Sequence, residues 1–264
     1  MKQRKGHIAS IAIGEGSFQG ASLQCGASPI TYSQAAWNLA EQGWHVDIFA
    51  HQSQPSEIEH PRYREIFLPI TLDDQIDRVL ESLDTAVQAF LRYQESQGIL
   101  YPIIHTHCWA SAWIGAQIKQ HQLLRLIHTY RGADCPVDQA DARRGDIERQ
   151  CLDAIDCLVV IGQSSPSIRP GQSATGLMEG RTEKFHAENS NKLRLIQHNG
   201  AGFTSDQLAK QLDIIYREQI DLLCHQFFFA SSLPAEAQPT SPAAVPAAGS
   251  LASGSVFPTS AQSA

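Results

Sequence analysis

Two short polar clusters hold most of the side chains in this sequence that could do chemistry. His105-Thr106-His107-Cys108-Trp109 follows the apolar run Pro102-Ile103-Ile104, and His128-Thr129-Tyr130-Arg131-Gly132 follows the run Leu124 to Ile127. Imidazole and thiolate both suit zinc. Alternate strand residues share a face, so His105 and His107 point one way and Thr106 the other. No carboxylate or further Cys follows at ligand spacing, and no metal is expected. His107 and Trp109 can line a ligand cleft, or serve as a hydrogen-bonded ring and a packed indole at a strand end. His128 reads as part of its strand. Arg131 is a permanent cation without an acceptor lone pair. It can hold a diphosphate or an acidic group as a bidentate donor but cannot take a proton. Asp134 and Asp138 offer carboxylates, but no second acid stands at a spacing that would announce hydrolysis.

The elements that must position these clusters alternate between strand and helix. Helical spacing of Ala112, Ile114, Gly115 and Ile118 separates the two apolar runs, so both clusters fall where a buried parallel strand ends. Ligands bind at that edge in open α/β sheets. Upstream, His7 to Ile13 reads as a strand and Gly14 to Gly26 as a Gly-rich loop. A helix is expected from Ser28 (cap) and Pro29 (first turn) to the stop at Gly43, and Val46 to Phe49 is the next strand. A further strand is expected at Glu65 to Leu68, then a helix from Leu72 to Gln97 with Gly98 ending it. Downstream come a helix over Asp138 to Ala154, strands at Cys157 to Ile161 and Lys192 to Gln197, and a terminal helix from Thr204 to Phe229. The fold class is therefore α/β, a Rossmann-like parallel sheet flanked by helices, with a long C-terminal helix.

Gly14, Gly16 and Gly20 are not spaced as a dinucleotide fingerprint and open no helix, and no cofactor is expected. Gly26-Ala27, read as preceding a helix start, is the better anion site, because free N–H groups there attract phosphate; a plain tight turn is the alternative. A net charge of −7 gives no support for a nucleic-acid partner. The apolar run Ile8 to Ile13 is too short for a signal segment, and no stretch is long enough for a membrane span. Six scattered Cys without a C-x-x-C pair suit reduced thiols, so a cytoplasmic location is expected. The Ala/Pro/Ser-rich end of the chain reads as disordered.

Four phrases, taken together, resemble the amino-terminal half of a retaining GT-B glycosyltransferase of the sucrose synthase and sucrose-phosphate synthase kind. Leu39 to Phe49 is similar to the family's "LA..GH.VD.FT", His105 to Gly115 to its "HAHYWDSGWVG", His128 to Gly132 to its "HT[FY]H.LG", and Arg144 to Val160 to its "R..IE....AD.VI". The resemblance implies transfer of a glycosyl group from a nucleotide sugar to a sugar or sugar-phosphate acceptor, with retention and without a bound metal. It places His107 and Trp109 on the acceptor side, Gly26 and Ala27 by the donor diphosphate, and Arg131 where the family has a His near the transferred sugar.

Between Ile161 and Thr204 there is no room for the family's donor domain, yet Lys210 to Glu218 resembles the phrase that closes these enzymes. The expected organisation is an acceptor-side domain at 1–162, an irregular donor-domain remnant at 163–203, a crossover-type helix at 204–230 and a disordered tail at 231–264. An ordinary amphipathic helix is the alternative reading of the closing phrase. The expected function is a glycosyltransferase whose cleft a partner or oligomer completes. The alternative is a non-catalytic remnant that binds a sugar or a protein, and a third possibility is an unrelated Rossmann-like enzyme.

Overall fold

The computed structural model describes residues 5–13, 22–25, 28–51, 60–70, 76–107, 109–130, 147, 150–163, 191–198 and 204–232. Two compact units meet in sequence after His225. The second, Gln226–Ala264, contains the end of the terminal helix among its described residues. The first, Met1–His225, carries the sheet and all that follows here.

In chain order the elements are β1 (His7–Ala12), β2 (Ser22–Cys25), β3 (Ser28–Thr31), α1 (Tyr32–Glu41), β4 (His45–Ala50), β5 (Tyr63–Phe67), α2 (Ile76–Gln97), β6 (Ile103–Thr106), α3 (Trp109–His121), β7 (Arg125–Tyr130), β8 (Cys157–Gln163), β9 (Leu193–His198) and α4 (Ser205–Ser232). Seven strands form one sheet in the order β5-β4-β1-β6-β7-β8-β9, with every pairing parallel. The chain winds outward from β1 through β4 to β5, then returns to lay β6 on the other side of β1. The β1–β6 boundary is thus the point where the winding direction reverses.

Burial on both faces explains the near-continuous apolar runs of β1, β4 and β6. On one face Ile8, Val46, Ile103, Ile127 and Val159 pack under α1 and α4. On the other, Ala9, Phe49, Ile104 and Leu126 pack under α2 and α3. Both glycine stops are as the sequence suggests. Gly43 and Gly98 have φ of 101° and 61°, and the amide one residue further on, Trp44 or Ile99, bonds back to the carbonyl of Leu39 or Gln94 at 3.1 Å. That is the six-to-one bond of a Schellman cap, which needs a left-handed residue before it.

The expected helix start at Ser28 is corrected. Ser28–Thr31 pairs antiparallel with Ser22–Cys25 as a two-stranded ribbon, and α1 begins only at Tyr32. Ser-Pro matches helix punctuation, but β-branched Ile30 and Thr31 favour the strand. Alternate pairs of an antiparallel ribbon exchange no backbone bonds, which is how a proline without N–H is tolerated there. The terminal helix also runs two residues past the expected end at 230. Beyond Ser232 the tail, like most of 163–203, lies outside the described residues.

Two further features hold the sheet and its helices in place. Asp47, 1% exposed, accepts two hydrogen bonds from Arg64, at 2.7 Å from Nε and 2.6 Å from Nη2, and one from the Tyr101 hydroxyl. Its burial is therefore matched by a bidentate cation. Gly115 lets α3 seat closely on the sheet, since a Cβ there would lie 2.6 Å from Leu126 Cδ1 and 3.0 Å from Thr106 Cγ2. Gly115→Ala is expected to lower stability by about 1–3 kcal/mol through overpacking, despite the better helix propensity of alanine. Urea unfolding checks this, and an unchanged or higher midpoint would count against the close seating.

Candidate functional site

The carboxyl ends of β1 and β6 flank the reversal point of the sheet, the position at which doubly wound sheets open a crevice. Ser10 on β1 and His105 on β6 are register partners there. His105 and His107 share the α1/α4 face, and their rings lie 4.3 Å apart at 44°. Both ring nitrogens of His105 are engaged: Nδ1 lies 2.6 Å from Tyr216 Oη on α4, and Nε2 lies 2.7 Å from Thr129 Oγ1 on β7. A neutral imidazole has one donor and one acceptor, so one hydroxyl donates to the ring and the other accepts from it. Burial pushes the pKa of His105 down to about 3, with a smaller contribution from nearby His128. The ring is neutral at physiological pH.

His107 lies one residue past β6, 7% exposed, with Nε2 2.9 Å from Ser10 Oγ. Its backbone N–H donates to Ser111 Oγ in the first turn of α3 at 3.0 Å. Beneath it, Ser10, Ala35, Ala36, His105, Leu212 and Tyr216 surround a cavity of about 10 Å³. That volume is on the scale of a single water. The ring cluster is therefore a packed polar layer at the edge of the sheet.

On the opposite face His128 is buried, with Nδ1 2.9 Å from Thr106 Oγ1. Burial pushes its pKa down to about 4, against a smaller opposing effect of a hydrogen bond from the ring to the Thr106 backbone. Thr106 also donates to the Ile127 carbonyl at 3.2 Å. Trp109, half-buried at the start of α3, packs on this α2/α3 side with Trp113, Ala112, Ile147 and Cys151. His107 and Trp109 thus turn to different faces of the sheet. Arg131, which follows the last residue of β7 in sequence, lies outside the described residues, as do Cys108, Gly26 and Ala27. Gly26-Ala27 falls between β2 and β3 in sequence, and with α1 beginning at Tyr32 the helix-start reason for an anion site no longer applies to it.

Ser10, Thr129 and Tyr216 were not singled out by sequence. The partners of His105 come from strands and a helix far apart in the chain, with Tyr216 111 residues away. The helix that brings Tyr216 starts with a reciprocal cap. Thr204 Oγ1 accepts from the Gln207 N–H at 3.2 Å and Gln207 Oε1 accepts from the Thr204 N–H at 2.9 Å, a capping box legible as Thr-x-x-Gln. Leu208, Ala209, Leu212, Ile215 and Tyr216 are then buried against the sheet. Asp213 ties the same helix down by accepting from Lys5 and Trp44 Nε1, each at 2.7 Å. Burial pushes its carboxyl up, but the bonds from Lys5, Trp44 and Arg217 outweigh that and hold it below the usual range.

No protein-family model matches the chain. It is 31% identical over 141 residues to a D-inositol 3-phosphate glycosyltransferase of Corynebacterium glutamicum (strain R), covering 47% of this chain and 33% of the relative. The enzyme of the same description from Corynebacterium efficiens is 32% identical over 140 residues, covering 46% and 32%. The chain thus spans about a third of the length of the curated relatives it matches. Among solved structures, a sucrose-phosphate synthase chain from Thermosynechococcus elongatus superposes with a TM-score of 0.50 at 26% identity. That likeness covers 81% of this chain and 99% of the other. No described helix is long and apolar enough to cross a membrane.

Proposed function

We propose that this chain, a homologue of glycosyltransferases whose sheet is a GT-B Rossmann-like domain, forms the acceptor-side half of a site that moves a glycosyl group from a nucleotide sugar to a phosphorylated polyol. The observation that carries this reading is the polar edge at the reversal point of the sheet. There His107 stands on a packed layer of His105, Ser10 and Tyr216. The acceptor class follows the names of the relatives, one acting on an inositol phosphate and the other making a sucrose phosphate.

In sequence α4 is the element after the last strand, and it returns to the first strands of the sheet. A solved sucrose-phosphate synthase chain matches nearly its whole length to this chain. Both observations support an acceptor-side domain that keeps its returning helix. A second chain or an oligomer would supply the donor surface. Catalysis would then come from positioning and from stabilising the leaving diphosphate. Arg131 is assigned to the diphosphate as a bidentate cation; Trp109, packed on the α2/α3 face away from His107, is assigned to the acceptor side on family resemblance alone. Gly26 and Ala27 are assigned to the donor phosphate on family resemblance alone.

Isothermal titration of the purified chain tests the division of labour. D-inositol 3-phosphate or a hexose phosphate is expected to bind saturably, with UDP, ADP, GDP and their glucose esters binding weakly or not at all. Tight nucleotide binding without any acceptor binding would overturn the acceptor-side reading. Nucleotide binding that disappears in Arg131→Ala would instead place a working donor site on this chain.

A further inference from the structure

We propose that Tyr216 is a positioning residue for His107, so that docking of α4 completes the carboxyl edge of β6. This rests on the acceptor-side role of His107 proposed above. The geometry runs through one continuous set of contacts. Tyr216 stands edge-on to Trp44 at 5.7 Å and 83° and edge-on to His105 at 5.7 Å and 82°. Its hydroxyl meets His105 Nδ1 at 2.6 Å, and Thr129 holds the opposite nitrogen at 2.7 Å. With both nitrogens held from opposite sides, the His105 ring cannot flip without breaking buried hydrogen bonds, and a change of tautomer requires both hydroxyls to reverse their donor and acceptor roles together.

That immobile ring is the surface on which His107 lies, at 4.3 Å between centroids, while Ser10 holds His107 Nε2 at 2.9 Å. A ligand-facing ring keeps its direction only when its own support is locked. The lock here comes from a helix more than a hundred residues downstream, anchored by Asp213 to Lys5 and Trp44. Ligand binding at His107 and seating of α4 are then thermodynamically linked, and each favours the other.

The experiment is nitrogen-15 NMR of histidine-labelled full-length chain, comparing wild type, Tyr216→Phe and Ile215→Val. Tyr216→Phe keeps the ring between Trp44 and His105 and removes only the hydroxyl, while Ile215→Val trims one methylene from the packing under α4 and leaves the helix seated and the Tyr216 hydroxyl in place. In wild type His105 is expected to show one donor-type and one acceptor-type ring nitrogen, as a single tautomer does. In Tyr216→Phe these move towards averaged values, the ring nitrogens of His107 shift with them, and affinity for D-inositol 3-phosphate falls about tenfold, as for one well-placed hydrogen bond. Ile215→Val leaves all three unchanged. Unmoved His107 resonances in folded Tyr216→Phe, or equal movement in Ile215→Val, would overturn the proposal. If Tyr216→Phe does not fold, Thr129→Val removes the other ring partner and is read in the same way. If wild type binds no phosphorylated polyol, the glycosyltransferase reading fails while the ring resonances still decide whether Tyr216 positions His107.

Discussion

A chain ending at Thr204, without α4, is expected to lose cooperative folding. Leu208, Leu212, Ile215 and Leu223 are each at most 8% exposed. Burying such a side chain contributes about 1.5–3 kcal/mol, so the four together contribute about 6–12 kcal/mol. The whole stability of a domain is about 5–15 kcal/mol. Removing the helix also uncovers Ile8, Val46, Ile103, Val159 and Ile196 on the sheet and leaves the buried His105 Nδ1 without Tyr216. Lys5 and Trp44 Nε1 lose the carboxylate they share. Far-ultraviolet circular dichroism with urea would show no sigmoidal transition for the shortened chain. A synthetic peptide covering Ser205–Ser232 would restore the transition in part, because it supplies the apolar face that covers the sheet. A sharp transition at the wild-type midpoint without the helix would refute this account of α4.

The same helix shows what sequence alone could convey. Its start at a Thr-x-x-Gln box and its apolar face at Leu208, Leu212 and Ile215 are local patterns, and local patterns survive reading in one dimension. Tyr216 gave no such signal, because a tyrosine beside an apolar stripe looks the same whether its hydroxyl meets water or a buried imidazole. The parallel strands were legible for a related reason: a strand covered on both faces must be apolar throughout, as Ile8 to Ile13 and Leu124 to Ile127 are. Where two local signals competed, the reading failed. Ser28-Pro29 has the form of a helix start, and Ile30-Thr31 has the form of a strand. The pairing partner that decided between them, Ser22–Cys25, lay in a stretch read as loop. His105 and His107 were correctly put on one face by alternation, but their roles differ because His105 lies under α4 while His107 stands at the edge. That distinction needs the third dimension.

Acid should destabilise this fold well before its carboxylates titrate. His105 and His128 are buried as neutral rings, with pKa values pushed down to about 3 and about 4 from the ordinary 6.5. Between those values and 6.5 the unfolded chain binds more protons than the folded one, so stability is complete above 6.5 and is lost as pH falls. Each ring costs about 1.4 kcal/mol per pH unit across that window, or about 2 kcal/mol by pH 5, and the two together about 4 kcal/mol. His45 and His51 shift in the same direction, chiefly through burial, but both are less enclosed and should add less. The carboxyls of Asp213 and Glu218, held low by their cationic partners, lose their contribution only at more acidic pH. Urea titrations at pH 7, 6 and 5 are expected to show stability falling by about 4 kcal/mol over the range. Replacing His128 with Asn, which cannot titrate, should remove about half of that slope even if it lowers stability at pH 7, because the slope reports proton uptake and the offset reports packing. A stability that stays level from pH 7 to pH 5 would mean that neither ring is held neutral in the folded chain over that range. The neutral layer beneath His107 would then have to be redrawn around a buried cation.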